Sequence, residues 1–384
     1  MCRPIRWLQG PLQLFAKDYR IMSKPRLIAF YLPQFYPTKE NDEWWEKDFT
    51  EWTNVKRGKP LFKGHSQPRV PADLGYYDLR DPQVRERQVE LAREAGIEGF
   101  CYWHYWFAGR RLLDRVFTEV VESGKPDFPF CLCWANHNWF RKTWDPAMPD
   151  KLLIEQTYPG VDDFIAHFHA MLPAFKDSRY MKVNGKLLFG VYDVLGLGKD
   201  RFEVFRKTWN DLAVQYGLPG FEFFGFTFKD KEVEDIQKMG YDHVVVDYIK
   251  EMFILTSLSR KIWERMKRAI THRPNKVYEY DSYATSLLKT FSQHKDVWPC
   301  LVPCFDHSPR SGNRGVILHH STPERWKALC QKVFEMCKGR ASDQNVVFIK
   351  AWNEWGEGNY MEPDTQFGKG YIQATREAVD ADEL

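Results

Sequence analysis

No two cysteines in this 384-residue chain are spaced as C-x-x-C, which excludes the zinc frameworks built on that pair. The eight that are present read as free, buried thiols of a reducing compartment. Cys131 and Cys133 share one face of a strand, Cys300 and Cys304 flank another, and Cys330 and Cys337 lie seven apart on a helix. No apolar run reaches the roughly 18 residues a membrane-spanning helix needs. The segment Met1 to Ile21 lacks both a long apolar stretch and a small-residue cleavage site, so it makes a poor secretory signal. Met22-Ser-Lys-Pro, directly before the first strand, looks like a cleaner start. Residues 1–24 are therefore expected to be an extension or disordered tail, and the protein is expected in the cytoplasm. Charge of one sign is also lacking: 55 Lys and Arg against 52 Asp and Glu leave +3. Nucleic-acid binders carry a concentrated basic face, so no such partner is expected. Repeats and low-complexity tracts are absent.

Aromatic residues are abundant: 15 Trp, 18 Tyr and 28 Phe. Sugar rings stack their C–H faces on aromatic faces while their hydroxyls take hydrogen bonds, so this excess suits a carbohydrate site. A large aromatic core is the other reading.

Short apolar runs alternate with helical stretches, as βα units do. Eight strands are expected: Arg26 to Leu32, Ile97 to Trp103, Pro129 to Trp134, Leu187 to Tyr192, Glu222 to Phe228, His243 to Tyr248, Pro299 to Phe305 and Val346 to Trp352. Asp81-Pro82 and Thr322-Pro323 each place a cap before a proline at the first helical position. Strands apolar on both faces and separated by helices imply a parallel sheet. Eight such units favour a single (β/α)₈ TIM barrel over 25–378, with a tail at 379–384. A doubly wound sheet would want a Gly-rich first turn, but the chain reads Pro33-Gln34-Phe35-Tyr36-Pro37 there. The loops leaving the strand C-termini are long: Pro33 to Asp81, Ala135 to Gly160, Ile249 to Lys276 and Asp306 to Ser321. In barrel enzymes that face holds the site.

The strand ends themselves are polar and aromatic. Candidate substrate contacts are Tyr31 and Gln34 after the first strand, and Trp103, His104 and Tyr105 after the second. Trp134 and Asn136 follow the third strand, Tyr192 the fourth, and Asp306 and Arg310 the seventh. Asn353 and Trp355 follow the eighth, and Glu51 and Trp52 come from the first long loop. Each has a structural alternative. His104 is either a base or donor, or a histidine bonded to a neighbouring loop. Asp306 either binds hydroxyls or pairs with Arg310. Glycoside cleavage needs an acid for the leaving oxygen and a second group opposite it. Glu354 and Glu357, three apart past the last strand and set among Trp and Gly, are the candidate catalytic pair. Apolar neighbours raise a carboxyl's proton affinity.

A basic stretch, Ser257 to Lys276, carries seven Lys and Arg, with Ile262, Trp263, Met266 and Ile270 on one helical face. It reads either as a solvated helix packed on the barrel or as a peripheral contact with the inner membrane surface.

Phe30-Tyr31-Leu32-Pro33-Gln34-Phe35, Phe49-Thr50-Glu51-Trp52-Thr53-Asn54, Tyr102-Trp103-His104-Tyr105-Trp106-Phe107, Trp134-Ala135-Asn136 and Trp352-Asn353-Glu354-Trp355 resemble the WbsX-type family, which is related to glycoside hydrolase family 99. The resemblance covers Pro25 to Ala374. It implies a (β/α)₈ barrel associated with bacterial surface-polysaccharide and lipopolysaccharide biosynthesis. It implies an oligo- or polysaccharide substrate, in the hydrolase relatives an α-mannoside cleaved internally with retention, and no cofactor or metal. Glu354 is similar to the group that deprotonates the sugar 2-hydroxyl, giving a 1,2-anhydro sugar. Glu357 is similar to the acid that protonates the leaving oxygen and then activates water. Two departures bear on the sugar: Gly356 stands where the hydrolases have histidine, and Asn136-His137 stands where Asn-Glu is expected. A glycosyltransferase of O-antigen biosynthesis is the alternative, although the only Asp-x-Asp triplet, Asp380-Ala381-Asp382, is far from every strand end. An inactive glycan-binding barrel is the third reading.

Overall fold

The computed structural model describes residues 24–141, 150–250, 276–294 and 296–382, and between 250 and 276 only Ser259, Ile262, Trp263, Met266 and Ile270. All but Lys24 of the expected N-terminal extension, and most of the basic stretch, lie outside the described residues.

Eight parallel strands close on themselves: β1 (Arg26–Tyr31), β2 (Gly99–Phe107), β3 (Phe130–Trp134), β4 (Lys186–Val191), β5 (Phe221–Thr227), β6 (His243–Asp247), β7 (Trp298–Leu301) and β8 (Val346–Ile349). Each pairs with its chain neighbours, and β1 pairs with both β2 and β8, which shuts the barrel. A helix follows each strand: α1 (Pro82–Ala95), α2 (Arg115–Ser123), α3 (Val161–Phe175), α4 (Lys199–Gln215), α5 (Val233–Lys238), α6 (Tyr280–Phe291), α7 (Pro323–Cys337) and α8 (Gly370–Asp382). This is the (β/α)₈ TIM barrel the sequence leads one to expect.

Alternation along the strands builds two cores. Inside the barrel, Phe30 stacks on Trp103 at 4.4 Å and meets Phe348 at 5.1 Å. Phe224 also meets Phe348, and Gly190 makes room for it, because a methyl there would overlap the Phe224 ring. Outside, α4 buries Phe202, Phe205, Trp209 and Ala213, which recur on one helical face, and Trp209 packs on Phe189 of β4 at 4.7 Å. Fully burying one such side chain stabilises the fold by about 1.5–3 kcal/mol. Asp81 caps α1 through Gln83 N with Pro82 first in the helix, and Gly96 closes it at φ 81°.

Four boundaries differ from expectation by three residues or more, and the first is β2, which runs on past Trp103 to Phe107 because Tyr105 to Phe107 pair antiparallel with Arg110–Leu112. β7 stops at Leu301 because Val302 N donates to the Tyr283 hydroxyl and Pro303 has no N–H to give a ladder. β8 stops at Ile349, since the next residues turn toward β1, where Trp352 N donates to Phe30 O. The expected tail at 379–384 is helical through Asp382, because Ala378 and Val379 are fully buried. Asp380-Ala381-Asp382 therefore sits on α8. The seven described cysteines are free and buried.

Candidate active site

The segment after β8 is built by two polar anchors. Asn353 accepts from Leu32 N at 2.8 Å and donates to Leu32 O at 3.1 Å, sewing the end of β8 to the end of β1. Trp355 Nε1 donates to the buried Glu362 at 2.6 Å, and its ring stacks on Tyr360 at 3.7 Å. Between and beyond these anchors the chain turns, with Gly358 at φ 55°. A Cβ there would come within 3.0 Å of the Asp306 backbone, so both conformation and space call for glycine. Glu354 and Glu357 are thereby delivered into one cleft of about 450 Å³ at the C-terminal mouth of the barrel. Gln34, Glu51, Trp103, Tyr105, Tyr192 and Arg310 line the same cleft.

Its electrostatics are specific. Burial, and then the neighbouring Glu357, raise the proton affinity of Glu354 to a pKa of about 7. One of its oxygens, Oε2, has no hydrogen-bond partner among the described residues. Glu357 meets compensating charge. Arg310 Nη1 donates to its Oε1 at 2.7 Å, and Lys350 Nζ lies 3.8 Å from its Oε2. Arg310 turns its other edge to Glu51, with Nη2 at 2.8 Å and Nε at 3.2 Å from Oε2. This pair explains Gly356, since a methyl there would overlap Glu51 Oε2 and sit 2.9 Å from Arg310 Nε. The Glu51–Arg310 contact thus occupies the space that a larger residue at 356 would take.

Other expected contacts lie behind the cleft wall. Tyr31 faces outward and donates to Gln88 at 2.7 Å, while Trp134 is fully buried and donates to Trp106 O. His104 faces α3, where its Nε2 meets His167 Nε2 at 2.8 Å. Burial depresses its pKa to about 3, so it is neutral. Asn136 staples the β3 and β4 ends, donating to Tyr158 and Asp193 O and accepting from Asp193 N at 2.7 Å. Trp52 packs on Phe35 and Trp355 and donates to Tyr77 O. Asp306 does not pair with Arg310. It accepts from Gln67 and Ser308 N and contacts His65 at 2.7 Å, because Arg310 is already taken by Glu51 and Glu357. These six, with Asn353 and Trp355, shape the site from outside the cleft lining.

Sequence reasoning missed several lining residues. Trp44 and Trp45 come from a short helix, Lys39–Trp44, and its end. Trp139 comes from a hairpin after β3 and meets Trp44 edge-on at 5.9 Å. His307 and Lys350 complete the list that matters for charge. The two tryptophan-bearing loops carried a signal in their aromatic density. Lys350 carried another, since a lysine inside an apolar strand-end run is rarely buried without a partner.

A family model described as "Glycosyltransferase WbsX" matches residues 27–375. The chain is 36% identical over 356 residues to the protein named WxcX of Xanthomonas campestris pv. campestris strain B100, covering 92% of this chain and 49% of that protein. A second X. campestris pv. campestris WxcX is 36% identical over 369 residues, 94% of this chain and 51% of that protein. The chain spans about half the length of these curated relatives. Among solved structures, the GH99 endo-alpha-mannosidase from Bacteroides thetaiotaomicron superposes with a TM-score of 0.55 at 14% identity, over 93% of this chain and 97% of that one. A "glycoside hydrolase-like protein" superposes at 0.57 with 12% identity, covering 97% of both chains. At these identities the two structures establish a shared fold.

Proposed function

The chain belongs to the WbsX family, and from that membership and the geometry of the cleft we propose that it is a carbohydrate-active enzyme, a retaining endo-glycosidase or transglycosylase acting on a bacterial surface polysaccharide. The observation that carries the reading is the placement of Glu354 and Glu357 in one aromatic-walled cleft, in chemically different surroundings. A carboxylate that titrates near 7 is matched to taking a proton at neutral pH. In the proposed reaction Glu354 takes the proton of the sugar 2-hydroxyl. The freed oxygen attacks the anomeric carbon, and the glycosidic bond breaks. The pair enters the reaction with one proton, and from the state in which Glu357 carries it that proton goes to the leaving oxygen. Water or a sugar hydroxyl, deprotonated by Glu357, then opens the 1,2-anhydro ring as Glu354 returns its proton to O2. Glu357 becomes negative just as the bond breaks, and Arg310 and Lys350 already face that charge, which favours the transition state. Mannose is the first sugar to try, because a mannosidase shares the fold.

Transfer to an acceptor is the second reading, favoured by the description of the family model. The test is reducing-end release from a panel of surface polysaccharides and α-mannans by wild type and Glu357→Gln. Release that the variant loses by orders of magnitude supports the glycosidase. No release from any glycan by folded wild type sinks it, and incubation with activated sugars and lipid-linked acceptors then tests transfer.

A peripheral contact with an anionic membrane is proposed on a separate observation. Ile262, Trp263, Met266 and Ile270 are helical and between 51% and 76% exposed. At 100° per residue they fall within an arc of about 100°. The sequence around them carries Arg260, Lys261, Arg265, Lys267 and Arg268. An apolar strip with Trp beside a basic face is the composition of an interfacial helix. In sequence the segment follows β6. Flotation with anionic but not neutral vesicles at low salt is expected, and absence of flotation with either removes the contact.

A further inference from the structure

The best-buried cation of the cleft belongs to no strand-end motif. Lys350 directly follows β8, and its backbone N donates to Leu301 O at 2.9 Å, so the barrel itself fixes its Cα. Its side chain is only 9% exposed, yet it lines the cleft. Its Nζ lies over the rings of Phe228 and Phe305, at 5.4 and 6.0 Å from their centroids. The ammonium lies 3.6 Å from Asp247 Oδ2 at the end of β6 and 3.8 Å from Glu357 Oε2. Asp247 is fully buried and held by Ile249 N through its other oxygen.

Charges therefore alternate along a line of side chains drawn from five places in the fold: Asp247, Lys350, Glu357, Arg310 and Glu51. Glu354 stands beside this line. Other titratable groups near it among the described residues are His307, with Nε2 at 3.8 Å from Glu357 Oε1, Tyr192 of the β4 end, Tyr105 of β2, and the buried Cys300 and Tyr283 beside Asp247, while His137 also lines the cleft. Four carboxylates face two cations, so one proton more or less on the Glu354/Glu357 pair depends on each cation present.

We propose that Lys350 is a positioning residue that sets the charge of the Glu354/Glu357 pair, holding Glu357 in the orientation and ionisation that the reaction passes through. Asp247 is its anchor. Without that buried acid the ammonium would be free to swing to Glu357 alone; between the two it stays near both, beyond direct hydrogen-bond range of either. Lys350 also lowers the proton affinity of Glu354, against the burial and the Glu357 charge that raise it. Removing the ammonium thus raises the proton affinity of the pair, while an arginine in its place conserves the charge.

This inference rests on the carboxylate pair proposed above but is tested without turnover. The protonated-carboxyl infrared band is titrated in the full chain, with Glu354→Gln and Glu357→Gln used to assign it. In Lys350→Met the midpoint of the pair is expected to rise by about one pH unit, tenfold in proton affinity. In Lys350→Arg it is expected to stay near wild type. If Lys350→Met does not fold, Lys350→Gln takes its place in the same titration. An unmoved midpoint in a folded neutral variant overturns the proposal, and so does a rise of equal size in Lys350→Arg. If wild type also turns over a glycan, the pH–rate profile of Lys350→Met is expected to shift to higher pH. If wild type turns over nothing, the glycosidase reading fails while the titration still decides the role of Lys350.

Discussion

Arg310 Nη1 donates to Glu357 Oε1 at 2.7 Å from a guanidinium whose other edge is held by Glu51, a carboxylate only 4% exposed. The arginine is the bridge between a loop after β1 and the acidic segment after β8. Arg310→Met would leave two carboxylates facing each other with no bridge. Breaking a buried pair in this way costs on the order of 3 kcal/mol, and urea denaturation should show it. Glycan cleavage should fall about 10²-fold or more, because the charge forming on Glu357 loses a fixed donor. Wild-type cleavage in a folded Arg310→Met protein would remove Arg310 from the site chemistry.

Gly356 is expected to be required by that same bridge. A methyl at 356 overlaps Glu51 Oε2, so the carboxylate must move, and with it the contact that Arg310 makes to that oxygen. Gly356→Ala should lower the melting temperature, and the loss should be smaller in a Glu51→Ala background, where the space is already free. Equal losses in both backgrounds would place the strain elsewhere.

Most of the barrel was legible from sequence because parallel strands buried on both faces read as short apolar runs between helical stretches. The Glu354–Glu357 segment stood out for a different reason: two carboxylates among Trp and Gly have no use in a core. What a strand-end reading cannot supply is parity. Trp103 and Tyr105 point into the cleft and His104, between them, points to α3. Tyr31 points outward to Gln88 while Phe30 points in. Alternation fixes that neighbours oppose each other, but which of them faces in depends on how the strand is set in the barrel. Lys350 was passed over because its run was read as strand to Trp352, although a lysine within such a run is itself a signal. Trp44 and Trp139 were hidden because their loops fold back over the mouth from positions distant in sequence.

Glu362 makes the stability of the fold depend on pH. Trp355, Tyr77 and Gln88 all donate to it, yet burial outweighs these donors and raises its pKa to about 7. Its neutral form is therefore favoured in the fold, whereas an unfolded glutamate ionises near 4.3. Between those values the folded state binds more protons, so stability falls as pH rises. Glu354 adds a change of the same sign. Between pH 5 and pH 8, Glu362→Gln should lose less melting temperature than wild type, the difference being on the order of 3 kcal/mol at most. Equal losses would show that Glu362 is already ionised in the fold at the lower pH.

His104 separates a wall residue from a reacting one. Its partner is His167 on α3, both rings are buried, and its depressed pKa keeps it neutral through the working range. His104→Leu would leave the Nε2 of His167 without that partner, a cost of about 1–3 kcal/mol visible as a lower melting temperature. If His104 only supports the wall that carries Trp103 and Tyr105, kcat/KM on a cleaved glycan should stay within about threefold of wild type. The pH–rate profile should keep its shape, since no titrating group of the cleft has been removed. A loss of orders of magnitude in kcat, or a missing limb in that profile, would instead make His104 a participant in proton transfer. The Trp103–Tyr105 parity would then have to reverse when substrate binds.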